Sequence, residues 1–224
     1  MTIEMGQIIG PLLLSLKTVM VCSTLFLLVG IPAAYYLAKE DLRFKWLFES
    51  VITMPLVFPP IALGFFLLIL LGRDGVIGAF LGEFDITVIF EFPALVIAGF
   101  IAGLPLMVKP LQSAIEHFPK PIVEASFISG KGEMQTLFAV ILPSIKRSLI
   151  AALLIASARA LGEVGITLIL GGNIIGETDT ISLALYNAVI DGEYDLAWQL
   201  SGVLTSIALV LFFFLNILQK KNNY

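Results

Sequence analysis

The chain has 224 residues, 58% of them hydrophobic and 13% charged, with a mean hydropathy of +1.01. These proportions exclude an ordinary soluble domain and predict an all-α, polytopic membrane protein with no nucleic-acid partner; the length allows one membrane domain of several helices and no second soluble domain of usual size. The net charge of −4 says little about partners, because in a membrane protein the distribution of charge between the two sides carries the information.

Five apolar blocks are long enough to cross a hydrocarbon core of ~30 Å, which needs about 20 helical residues. They run approximately over 11–38, 46–71, 93–115, 148–170 and 196–218. Such continuous runs predict helices, because backbone groups in lipid must be satisfied within the segment and barrel strands would alternate. No basic residue precedes the first block, so a cleavable signal peptide is not expected. Lys17 lies near its start and is expected to snorkel outward, with a lesser alternative role in attracting an anion. Cys22, the only cysteine, reads as a small buried hydrophobe.

The second block contains Pro55, Pro59 and Pro60. Each lacks a backbone donor and clashes with the preceding turn, so the three predict a kinked or interrupted helix. Two readings stand side by side: a break that lines a translocation path or gate, and a simple packing kink. After the third block comes His117, the only histidine, without the companions a metal site needs. The fourth block carries Arg159 and Glu163 near its middle, where an unpaired charge costs at least ~2.5 kcal/mol. Their i, i+4 spacing puts them on one face of a continuous helix, as a structural ion pair or as part of an anion path. The stretch 181–190 is apolar but too short to cross, and is expected as a surface or re-entrant helix.

Basic residues orient the chain. Lys39, Arg43, Lys45, Lys109, Lys120, Lys131, Lys146, Arg147, Lys220 and Lys221 fall on one side, whereas Arg73 is the only basic loop residue on the other, among many Asp and Glu. The positive-inside rule then predicts the N-terminus outside and the C-terminus in the cytoplasm.

Between the third and fourth blocks lies a polar segment, 120–143, with a short amphipathic helix expected around 121–129 and ended by Gly130 and Gly132. Glu124, Ala125 and Ser126, then Gly130, then Leu142-Pro143 resemble the EAA loop of ABC importer permeases: EAA, three residues, Gly, nine residues, Ile, one residue, Leu-Pro. Ser126 replaces the second Ala and Val140 the Ile. The resemblance continues through LSLKT (15–19), MPLVFPPIALGFFLLILLGRDGVIG (54–78), LPLMVKPLQSAIE (104–116), ARALGEVGITLIL (158–170) and GNIIGETDTISLALYNAV (172–189), which look like the permease of molybdate ABC importers.

That resemblance implies a type I, MetI-like bundle of about five spans in the cytoplasmic membrane. It implies a homodimer working with two cytoplasmic ATPase subunits and an external oxyanion-binding protein. In it, Glu124, Ala125, Ser126, Gly130, Leu142 and Pro143 would form the segment that couples to the ATPase, and transport would proceed by alternating access. The chain itself has no GxxxxGK[ST] phosphate loop, so neither ATPase chemistry nor a cofactor is expected of it. Tungstate and sulfate permeases are the near alternatives; an ATP-independent channel or a membrane scaffold is the alternative from another class.

Overall fold

The computed structural model describes residues 2–39 and 42–220; Lys221, counted above with the basic tail, lies outside them. Helices follow one another with short connections. The first is α1 (Thr2–Leu25), which runs through a π-helical turn (Phe26–Gly30) into α2 (Ile31–Leu37). Then come α3 (Lys45–Val57), α4 (Pro60–Leu71), α5 (Val76–Gly82) and the long α6 (Phe92–Glu116). A polar excursion holds α7 (Lys120–Ile128), α8 (Glu133–Thr136), a second π-helical turn (Leu137–Ile141) and α9 (Leu142–Ser144). The chain ends with α10 (Lys146–Leu161), α11 (Gly165–Gly171), α12 (Ile181–Ile190) and α13 (Tyr194–Lys220). No strand occurs among the described residues.

Helix α6 is the centre. It presents Ala94, Ala98, Gly99, Ala102 and Gly103 to its neighbours, and such small residues let helix backbones approach closely where lipid supplies no hydrophobic drive between helices. A Cβ at Gly103 would lie 2.4 Å from the Phe26 ring and 2.7 Å from the Ala156 carbonyl. Phe26 sits at the start of the π-helical turn and stacks on Phe100 at 5.6 Å. Along α1 and that turn, Pro11, Ser15, Thr18, Cys22, Phe26 and Gly30 are buried at helical spacing, a single stripe facing α6 and α10. Cys22 is fully buried within it, as expected. Lys17 faces outward, its ammonium 4.2 Å from the centre of the Phe92 ring at the start of α6.

Among the described residues, three helical stretches are individually long and apolar enough to cross a membrane: Gly6–Leu37, Phe92–Glu116 and Tyr194–Ile217. These fall on the first, third and fifth blocks. The other two blocks are each broken. The second divides at Phe58–Pro59, where Phe58 is extended (ψ 139) and neither Pro59 nor Pro60 has an N–H to continue the ladder.

The fourth block corrects the sequence reading. One helix over 148–170 was expected, but α10 stops at Leu161 and α11 begins at Gly165, so Arg159 and Glu163 do not share a continuous helical face. Gly162 and Gly165 flank the break, and glycine disfavours helix interiors. Helix α12, expected as a surface or re-entrant helix, is held in the bundle by its first turn: Ile181 and Leu183 are fully buried between α1 and α13, whereas Val189 and Ile190 at its end are exposed. Its place is set by Ser15, whose hydroxyl accepts from the Ile181 amide (2.8 Å), and by the Ser182 hydroxyl, which donates to the Leu161 carbonyl (2.8 Å).

Candidate coupling segment and helix breaks

The 120–143 segment begins where Pro119 and Pro121 disfavour continuation of α6 and suit the first turn of a new helix. Helix α7 then ends in a Schellman motif. The Gly130 amide donates to the Phe127 carbonyl (2.9 Å) and the Lys131 amide to the Ser126 carbonyl (3.2 Å), with Gly130 at φ +81. Gly130 is therefore required by backbone conformation, not by space, since nothing lies within 4 Å of a Cβ placed there. Gly132 does not end α7 as expected; it precedes α8 instead.

Of the EAA-like residues, Glu124 and Ala125 are exposed and Ser126 is buried. Glu124 helps line a cavity of about 490 Å³ with Tyr35, Lys39, Glu116 and Lys120. The Ser126 hydroxyl pairs with that of Thr136 at 2.9 Å, both buried. Ser126 stands where the EAA pattern has its second Ala, and its hydroxyl ties α7 to α8 where alanine has nothing to offer; the sequence reading missed its partner, Thr136. Ile122, Phe127 and Ile128 are exposed on α7, Ile128 at 88%.

Leu142 and Pro143 mark an elbow. Leu137, Ile141 and Leu142 are buried in the core that holds Met107, Leu111 and Ile115 of α6, and the helical run Glu133–Ser144 turns by 84° into α10. Pro143 stands near the end of this run, just after the π-helical turn, where it has no N–H to continue the ladder. The segment is thus anchored by apolar side chains at its end and open along α7.

At the other end of α10, the Arg159 Nη2 atom lies 2.6 Å from Glu163 Oε2. The second carboxylate oxygen, Oε1, accepts from the Ile166 amide in the first turn of α11 (2.7 Å). Glu163 is 1% exposed in its side chain and Arg159 32%, so the carboxylate is spent on bridging the break while the guanidinium keeps an open side. Beside this break lies the other one. A Cβ at Gly165 would be 2.7 Å from the Pro60 Cβ, and one at Gly64 3.0 Å from Ile169. The Pro59-Pro60 interruption therefore packs against the break that the charged pair bridges, two anomalies noted separately in the sequence. Pro55 lies apart, within α3.

The sequence profile of the "Binding-protein-dependent transport system inner membrane component" family matches residues 27–223. The chain belongs to this family. Among its relatives, the "Molybdenum transport system permease protein ModB" of Azotobacter vinelandii is 36% identical over 203 residues, 89% of each chain. The "Sulfate transport system permease protein CysW" of Synechococcus elongatus is 31% identical over 210 residues, covering 94% of this chain and 69% of that one. A chain from the crystal structure of an amino acid ABC transporter with histidines superposes with a TM-score of 0.64 at 17% identity, over 99% of this chain and 96% of that one. The fold is that of ABC transporter permeases. As a permease-family chain it is a multi-pass inner-membrane transport subunit rather than an ATPase.

Proposed function

We propose that the chain is the permease of an ATP-driven molybdate importer, working as a homodimer with two cytoplasmic ATPase subunits and an external oxyanion-binding protein. The observation that carries the reading is an exposed α7 on an apolar anchor, in a chain 36% identical over nearly nine-tenths of its length to a molybdenum permease. Helix α7 offers Ile122, Phe127 and Ile128 to a cleft on the ATPase, the helix-in-groove mode of recognition. A push on α7 passes through the buried Leu137, Ile141 and Leu142 and the elbow at Pro143 into α10. Helix α10 packs along α6 and ends at the Arg159–Glu163 bridge, so the displacement arrives at the place where the two breaks meet. Glu124, Ala125, Ser126, Gly130, Leu142 and Pro143 are the coupling residues in this reading; Pro59, Pro60, Arg159 and Glu163 form its gate, and Pro55 lies in α3, which leads to it.

In this arrangement α3 with α4 makes the second span and α10 with α11 the fourth. The charge distribution supports an N-terminus outside and a C-terminus in the cytoplasm. The permease makes and breaks no covalent bonds; ATP is hydrolysed by the partner chains. A sulfate permease is the second reading, favoured by the 31% identity to a sulfate relative. Tungstate, close to molybdate in size and charge, belongs with the first.

The test is reconstitution with the ATPase and the binding protein in proteoliposomes. Hydrolysis should rise when the binding protein is loaded with molybdate, and Gly130→Trp should cut uptake more than tenfold while the permease still inserts. Parental uptake by Gly130→Trp would remove α7 from the coupling role. Calorimetry on the binding protein with molybdate, tungstate and sulfate decides the substrate, and an externally active reporter should work at Asp85 or Glu193 and fail at Lys131.

A further inference from the structure

Helix α3 is attached to the rest of the molecule in an unusual way for a membrane helix. It has no buried residue. Its neighbours are α6 and α2, and the facing positions on α3 and α6 are polar: Lys45 and Glu49 on α3, spaced i, i+4, against Lys109, Gln112 and Glu116 on α6, spaced i, i+3, i+7. Lys45 Nζ lies 3.0 Å from Glu116 Oε1, and Lys109 Nζ lies 3.3 Å from Glu49 Oε1. Between these pairs stands the Gln112 side chain in a residue only 4% exposed.

Gln112 is oversubscribed. Its Nε2 faces three acceptors: Glu49 Oε1 at 2.7 Å, Glu116 Oε1 at 2.9 Å and the Leu37 carbonyl at 3.2 Å. A primary amide has two N–H groups, so the third acceptor is always underserved. The amide thus holds three elements together, α2, α3 and α6, through contacts that exchange readily. Apolar support is limited to partly buried residues such as Ile52.

Both ends of α3 are hinge-like. Phe44 has φ 61, a left-handed conformation that bulky residues rarely adopt, and Phe58–Pro59 interrupts the ladder at the other end. Across that interruption, α4 is anchored quite differently, with Leu63 and Gly64 buried against α6 and α11. One block of sequence therefore makes a fixed half and a half held by polar contacts.

We propose that α3 is a movable arm that pivots at Phe58–Pro59, and that Gln112 is the positioning residue deciding whether it lies on α6. Release of the arm from α6 opens the basic end of the bundle, and its return closes it. Carboxylates and ammoniums at a membrane edge suit this motion, because the groups freed by release find water there. The proposal rests on the permease reading above and deepens it.

The experiment uses the reconstituted complex with permease Cys22→Ala carrying Lys45→Cys and Glu116→Cys, which face each other across α3 and α6, bridged by a short reducible bis-thiol reagent. The expected result is a bridge in high yield, uptake at least tenfold lower with the bridge in place, and recovery on reduction. Bridged protein that transports within twofold of its reduced form overturns the arm. Failure of the two thiols to be bridged also overturns it, because α3 then does not rest on α6. The reduced protein is the internal control for the function itself: absence of ATP-dependent uptake in the Cys22→Ala parent would sink the permease reading, separately from the arm. Gln112→Glu, which keeps the shape and removes the donors, should release the arm and lower the yield of bridging between Lys45→Cys and Glu116→Cys several-fold; unchanged yield would deny Gln112 its positioning role.

Discussion

The two ends of the bundle are held by different chemistry. At the basic end the ties are long side chains in ion pairs: Lys39–Glu133 (2.7 Å), Lys45–Glu116 (3.0 Å) and Lys109–Glu49 (3.3 Å), all partly open to solvent. At the acidic end, the 172–180 loop is fastened by short side chains, mostly to backbone. The Thr178 hydroxyl donates to the Gly171 carbonyl (2.6 Å) and accepts from the Ile174 amide (2.8 Å), Asp179 accepts from the Gly176 amide (2.8 Å), and Asn173 and Asn187 exchange amide bonds at 2.6 and 3.1 Å. Short side chains lose little rotamer freedom, and a buried backbone group left unpaired is costly. Exposed ion pairs order long side chains for small net gain. The comparison separates an end built to stay from an end built to rearrange.

The largest expected effect lies between the two ends and sets the scale. Arg159→Met leaves the Glu163 carboxylate buried without its cation and should cost roughly 3–5 kcal/mol of stability. Glu163→Gln should cost less, and the double variant should recover part of the loss in thermal denaturation. Recovery of stability without recovery of uptake would assign Arg159 to the anion path. Next comes the fixed end: Thr178→Val orphans both the Gly171 carbonyl and the Ile174 amide and should destabilise by about 2–4 kcal/mol. A loss well below 1 kcal/mol would mean that this end is no firmer than the other.

Smaller changes test the adjustable end. Ser126→Ala leaves the Thr136 hydroxyl unpaired and should cost about 1 kcal/mol, with a larger fractional loss of uptake than of stability if α7 loosens from α8. Lys39→Ala should cost under about 1 kcal/mol, and high salt should erase the difference, as screening dictates for an exposed pair. A salt-independent loss above that figure would show that the basic end is held as firmly as the other.

The smallest expected shift has the opposite sign. Burial raises the Asp179 carboxyl above its ordinary value, against the lowering effect of the Gly176 amide. A carboxyl with a raised folded-state pKa adds stability below the unfolded value that is lost as pH rises through the folded one. Asp179→Asn keeps the acceptor oxygen and removes the charge, so it should melt slightly higher than the parent at neutral pH, with the difference vanishing on acidification. A lower melting temperature at neutral pH would show that the charge serves another contact.

The sequence alone determined what depends on local chemistry. Hydropathy set the membrane class and the apolar blocks, because crossing lipid is a property of twenty consecutive residues. Proline placed the interruption at 59–60, since a missing donor needs no partner to act. The spacing from Glu124 to Pro143 marked out the segment now seen as α7 to α9, with Gly130 in the left-handed turn that ends α7. What tertiary structure decided are meetings between residues far apart in the chain. The end of α10 at Leu161, the buried place of α12 against Ser15, the Pro60–Gly165 contact and the polar face joining α3 to α6 each depend on which side of one helix meets which side of another. Lys109, Gln112 and Glu116 share one helical face, but their partners on α3 lie some sixty to seventy residues earlier, and only the fold brings them together.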